Sequence, residues 1–194
     1  MAERLNGRRI AVLATDGVEQ VELTEPRRAL EEAGATVEVL SPQPGEIQAM
    51  DHADKSGTIK VDRMVTGVDP NEFDGLVLPG GVRNGDRLRM DEPSQEFVRS
   101  FFDRGLPVGV ICHGGWILVE AGVVKGRTMT SYPSLRTDIR NAGGTWVDEE
   151  VHNDHGLVSS RNPGDLPAFC AKLVEEFAEG RHEAQGSRTA AAVS

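Results

Sequence analysis

The sequence predicts an α/β fold: a flavodoxin-like (Rossmann-like) doubly wound sandwich with a mostly parallel central sheet and helices on both faces. Three observations carry this. Compact β-branched and aliphatic runs alternate with well-punctuated helical stretches along the chain. The first strand, helix and strand close within about 30 residues, which implies a parallel pair joined by a right-handed crossover. The apolar runs also end in glycine-marked segments, as buried strands do where they leave a sheet.

RRIAVLAT (8–15) reads as a buried strand ending at Asp16-Gly17. TEPRRALEEAGA (24–35) reads as a helix with Thr24 as N-cap, an early proline and a stop at Gly34. TVEVLS (36–41) is the second strand. Residues 42–65 are rich in turn formers with short alternating pieces, the pattern of a hairpin excursion outside the core. NEFDGLVLPGG (71–81) holds another buried strand, and DEPSQEFVRSFFDRG (91–105) is a helix opened by acids and Pro93 and closed by Gly105. PVGVI (107–111) is a strand and HGGWILVEAG (113–122) a helix. There follow strand patterns at 127–132, 145–151 and 156–160, a helix within 133–143 and a last helix within 162–180. One domain over residues 8–180 is expected, and 181–194, small and polar, is expected to be a disordered tail.

The formal net charge is −10, without a run of lysine and arginine, so no nucleic-acid-binding surface is expected. No stretch approaches the roughly 20 apolar residues of a membrane helix. The opening MAERLNGRR lacks the apolar segment of a secretory signal, so a cytoplasmic location is expected. The two cysteines, Cys112 and Cys170, show no metal-type spacing, and neither a metal nor a cofactor is expected. Gly80-Gly81 is not a G-x-G-x-x-G fingerprint, which argues against a nicotinamide enzyme.

In an open parallel sheet, ligands bind beyond the carboxyl ends of the strands. Three features fall at such ends: Glu19 and Glu22 after the first strand, Gly80-Gly81 after GLVLP, and Cys112-His113-Gly114-Gly115 after PVGVI. Parallel neighbours would bring Glu19, the glycine backbone and Cys112 together. A cysteine on a glycine-flanked strand-to-helix turn is held out from the sheet, near the positive end of a helix dipole and free N–H groups. Both favour thiolate, and the N–H groups of Gly80, Gly81 and His113 are candidates to hold an oxyanion. An ionised Glu19 would oppose the thiolate, whereas a protonated one would support it. His113 adjoins Cys112 in sequence, and residues so spaced in a regular helix do not face each other, so only a bend at Cys112 can pair them.

Several candidates have plainer readings. Cys170 falls on the apolar face of the last helix and reads as core. His152 and His155 sit between two strand patterns and read as a tight turn. Asp86 is open between two roles, the N-cap of a short DRLRM helix or the acid that orients His113.

ATDGVEQVEL, FDGLVLPGG, DRLR, VGVICHGGWILVEAGVVKGRTMTSYPSLRTDIRNAGG and LVSSRNPGDLPAF together resemble the ThiJ/PfpI superfamily, most closely its PfpI-like branch of small stress proteins and intracellular proteases. The likeness runs from about Arg8 to Gly180. It implies that Cys112 is the elbow nucleophile, Glu19 the protonated partner of its sulfur, His113 the adjacent histidine and Asp86 the acid supplied to that histidine by a neighbouring subunit. Self-association to at least a homodimer is therefore expected. The chain departs from the pattern at Gly115, where the family commonly carries proline; this is expected to loosen the first helical turn. By the same resemblance, the expected activity is that of a cysteine-dependent hydrolase of deglycase, glyoxalase or peptidase type. Its partners would be small carbonyl compounds, glycated proteins or peptides. The alternative is a redox-sensing or chaperone-like stress protein that uses an oxidisable Cys112.

Overall fold

The structure is a computed structural model and describes residues 4–182. In chain order the strands and helices are β1 (Arg9–Leu13), β2 (Val18–Glu19), α1 (Gln20–Glu32), β3 (Thr36–Ser41), β4 (Glu46–Asp51), β5 (Asp54–Lys60), β6 (Arg63–Met64), β7 (Gly75–Leu78), α2 (Val82–Leu88), α3 (Glu92–Asp103), β8 (Val108–Ile111), α4 (Gly115–Glu120), β9 (Thr128–Met129), α5 (Arg136–Asn141), β10 (Thr145–Trp146), β11 (Val151–Asp154), β12 (Leu157–Ser160) and α6 (Leu166–Glu179). The main sheet has seven strands in the order β11-β12-β8-β7-β1-β3-β6. All its pairings are parallel except β11 with β12. This is the expected doubly wound α/β arrangement.

Side chains alternate across the sheet and create two apolar layers. Ile10 and Val12 of β1 join Leu23 and Leu30 of α1 and Phe169, Leu173 and Phe177 of α6. Ala11 and Leu13 join the other layer with Phe97, Phe101 and Phe102 of α3 and Ile117 and Leu118 of α4. Strands covered on both faces have no solvent side, hence the unbroken burial of β7, β8 and β12. Gly109 is required here: a Cβ on it would lie 2.2 Å from Leu173 Cδ2. The order β8-β7-β1 sets the carboxyl ends of these strands side by side, as the site argument required.

Local boundaries differ from the sequence reading for identifiable reasons. Residues 42–65 do leave the core, and β4 and β5 form a hairpin there. That hairpin captures Val18-Glu19 as an added strand, pairing Val18 with Ala49, so α1 begins at Gln20 rather than after Thr24. Thr24 is inside the helix and donates its hydroxyl to Gln20 O. Asp86 is not an N-cap, because α2 starts at Val82 and Asp86 lies on its exposed face. The strand expected at 145–151 breaks at the acids Asp148–Glu150; β10 pairs with β9 away from the main sheet, and β11 carries the main-sheet pairing. His155, at φ 52°, forms the turn between β11 and β12 as expected. Of the expected tail, 183–194 lie outside the described residues, and the His182 N–H donates to Gly105 O. Among the described residues, no helix is long and apolar enough to cross a membrane.

Candidate active site

Strand β8 ends at Ile111 and the chain turns sharply at Cys112, which has φ 60°. A left-handed backbone at a non-glycine residue costs roughly 1–2 kcal/mol and persists only where its surroundings enforce it. Close packing enforces it here. A Cβ on Gly114 would lie 2.6 Å from Leu78 O, and one on Gly85 would lie 2.4 Å from His113 O. The 3₁₀ turn Cys112–Gly114 is thereby pressed against β7 and α2. Gly115 starts α4 at φ −60°, a value proline shares, so its departure from the family pattern leaves an ordinary helical backbone.

The bend swings His113 back onto the sulfur. Cys112 Sγ lies 3.2 Å from His113 Nδ1, and Nε2 of the same ring lies 3.2 Å from Ser134 Oγ. Tyr132 stacks on the imidazole at 4.6 Å, and Trp116 meets it edge-on at 5.1 Å. Burial lowers the His113 pKa below its ordinary 6.5, so the ring is neutral at physiological pH and can accept a proton. With a protonated thiol donating to Nδ1, the ring proton sits on Nε2 and donates to Ser134.

The N–H groups of His113 and Gly81 both point to the Cys112 side chain and favour its anionic form. Burial and the neighbouring Glu22 carboxyl act more strongly in the other direction. The thiol consequently lies above its ordinary range, opposite to the sequence expectation, which weighed the helix terminus without the burial.

The acid beside the sulfur is Glu22, not Glu19. Glu22 is fully buried on the first turn of α1, accepts from Gly80 N–H at 2.9 Å and lies beside the Cys112 side chain. Burial pushes its pKa from 4.5 up to about 8, so it carries a proton at neutral pH. Glu19 instead accepts from His52 N–H, with its two oxygens at 3.2 and 3.1 Å. Because β2 absorbs Glu19 into a strand, the carboxyl three residues later, nearly a helical turn further on, faces the sheet end. The Gly80 N–H is likewise committed to Glu22, leaving Gly81 and His113 as the donors near the sulfur. Gly80 has a steric role: a Cβ there would lie 2.2 Å from Glu22 Oε2 and 2.6 Å from Cys112 Cβ.

Asp86 is exposed on α2, and its side chain makes no hydrogen bond or ion pair among the described residues. Cys112 and His113 open into a pocket of about 880 Å³ whose rim includes His52, Lys55, Arg83 and Asn162. At that rim Glu19, Asp51 and His52 approach within 4.8 Å of one another, the one grouping near the sulfur with metal-ligand chemistry among the described residues. Asp51 and His52 are exposed and pair with each other at 3.0 Å.

The sequence model of the DJ-1/PfpI family matches residues 8–176. The chain belongs to the DJ-1/PfpI family. It is 45% identical over 168 residues to "Deglycase PfpI" of Pyrococcus furiosus, covering 86% of this chain and 98% of that protein. It is 40% identical over 162 residues to "Putative cysteine protease YraA" of Bacillus subtilis, covering 84% and 94%. These relatives agree with the PfpI-like branch expected from the motifs. Among solved structures, Drosophila melanogaster DJ-1beta superposes with a TM-score of 0.81 at 26% identity, covering 100% of this chain and 98% of that one.

Sequence reasoning missed Tyr132, Ser134 and Trp116 as the surroundings of His113. The signal was present in TSYPSLR, a block singled out for its specificity but without roles for its residues.

Proposed function

We propose that this protein is a cysteine-dependent enzyme acting on carbonyl compounds, with deglycase- or glyoxalase-type substrates ranked above long peptides. The observation that carries this is the pairing of Cys112 Sγ, on a strained turn, with a neutral His113 imidazole 3.2 Å away at the floor of an open pocket. As the sulfur attacks the carbonyl carbon, an S–C bond forms and the thiol proton passes to Nδ1 of His113. The carbonyl oxygen takes up the negative charge, and the N–H groups of Gly81 and His113 are available to it. The imidazolium then returns its proton to the leaving atom or the oxyanion. With the thiol pKa raised and that of His113 lowered, no standing thiolate is present, and the proton must leave as the S–C bond forms.

We assign Asp86 to the His113 of a second copy, where its carboxylate would share the Nε2–H with Ser134 Oγ. Val82, Asp86 and Met90 recur every four residues along and just past α2, and both apolar members are exposed, at 56% and 74%. Such a face suits self-association with a carboxylate at its centre.

A redox-sensing or chaperone-like role is the second reading. The neutral Glu22 carboxyl favours it, since it can donate to an oxidised sulfur, whereas the raised thiol pKa weighs against ready oxidation. The deciding experiment is turnover of methylglyoxal and its early thiol and amine adducts by wild type, Cys112→Ala and His113→Ala. Loss in both variants supports the enzyme. Full turnover by Cys112→Ala refutes it.

A further inference from the structure

The mouth of the Cys112 pocket carries two cationic side chains, Lys55 and Arg83, with the Glu19 carboxyl lining the same pocket, on a protein whose formal net charge is −10. Lys55 projects from β5 and Arg83 from the first turn of α2, so two separate elements bring positive charge to one opening. Both are exposed, and neither makes an ion pair among the described residues. The nearby carboxylates bind groups other than Lys55 and Arg83. Asp16 pairs with Arg87 at 3.0 Å, Asp51 pairs with His52, and Glu19 accepts the His52 N–H. Glu22 lies deeper and carries a proton at neutral pH. The backbone of Arg83 is seated against Gly17, where an added Cβ would lie 2.3 Å from Arg83 Cβ, and its side chain extends from there to the pocket. None of the steps at Cys112 uses these two cations.

We propose that Lys55 and Arg83 form an anion subsite, so that the substrates of this pocket are small carbonyl compounds bearing a carboxylate. The guanidinium supplies a planar fork for the carboxylate and the ammonium a mobile point charge. The field they set up concentrates anions at the opening and is screened by salt. The proposal rests on the reading of Cys112 as the attacking group for its substrate class, but not for its charge preference.

The test compares alkylation of Cys112 by iodoacetate and by iodoacetamide at pH 7.5, followed on the Cys112 peptide by mass spectrometry so that Cys170 is counted apart. In both reactions the sulfur forms an S–CH2 bond, iodide leaves and the thiol proton goes to solvent. The reagents are close in size and differ in charge, so their rate ratio cancels the intrinsic reactivity of the sulfur. In a Lys55→Gln/Arg83→Gln double variant the iodoacetate-to-iodoacetamide ratio should fall about threefold at 0.15 M salt and about tenfold at low salt. Arg83→Lys, which keeps the charge but not the planar fork, should retain most of the wild-type ratio. The ratio of kcat/KM for glyoxylate over methylglyoxal should fall in parallel. An alkylation ratio unchanged in the double variant overturns the subsite, even where wild type turns over methylglyoxal and the enzyme reading stands. Absence of all carbonyl turnover overturns the enzyme reading, while the alkylation ratio still decides the subsite.

Discussion

Replacing Glu22 by glutamine should change how stability depends on pH, and by a predictable amount. In the folded protein the Glu22 carboxyl holds its proton up to about pH 8, against an ordinary carboxylate value of 4.5. One of its oxygens, Oε1, is buried without a hydrogen-bond partner of good geometry, an arrangement that penalises the ionised form. The folded state therefore binds one more proton than the unfolded chain between these two values. Its contribution to stability is complete below about pH 4.5 and is lost as pH rises through about 8. At about 1.4 kcal/mol per tenfold change in proton affinity, the whole interval corresponds to about 5 kcal/mol, of which roughly 3.5 kcal/mol falls between pH 5 and 8. Glutamine has the same shape, can accept from Gly80 N–H and cannot ionise. Urea unfolding of wild type and Glu22→Gln at equal protein concentration, under reducing conditions, measures the difference directly. Burial keeps the Cys112 thiol, which Glu22 perturbs, protonated over this range in the folded protein, so the gap should widen in favour of the variant as pH rises from 5 to 8. Curves that run parallel within about 0.5 kcal/mol would refute a buried, proton-holding Glu22.

Other consequences are equally accessible. Gly80→Ala forces a methyl between Glu22 and Cys112 and should cost about 1–3 kcal/mol in urea unfolding while abolishing turnover. Ser134→Ala removes the partner of His113 Nε2; kcat should fall about three- to tenfold with KM and the unfolding midpoint nearly unchanged. The acid limb of kcat/KM should lie below pH 6.5, because burial keeps His113 neutral past its ordinary midpoint; a limb above 6.5 contradicts His113 as the base. Met90→Glu should shift sedimentation toward the monomer and reduce turnover, and Asp86→Asn should reduce turnover while sedimentation stays as in wild type.

The alternation of apolar runs and helices was readable in the sequence because strands at the centre of the sheet, such as β1 and β8, are covered on both faces, which leaves a continuous aliphatic signature in RIAVL and VGVI. The elbow was readable for a similar reason. Cys112 must leave a strand at φ 60°, and the glycines around it record the space that the turn denies to side chains. Even the dependence of His113 on a bend followed from residue spacing alone.

Which acid faces the sulfur was decided only in three dimensions. Glu19 and Glu22 are equivalent in the sequence. They were separated when a hairpin distant in the chain, β4–β5, took Val18-Glu19 as its third strand and turned the following helix so that Glu22 points inward. The direction of the thiol pKa was decided in the same way, since a helix terminus is a local feature and burial is a property of the whole packed core. The sequence alone determined the main strands and helices, their order and the reactive turn, because backbone preference and apolar periodicity act over a few residues. The partners of Cys112 and His113 come from β7, α1 and the Tyr132–Leu135 turn, brought together by the sheet order, and only the folded chain specifies that.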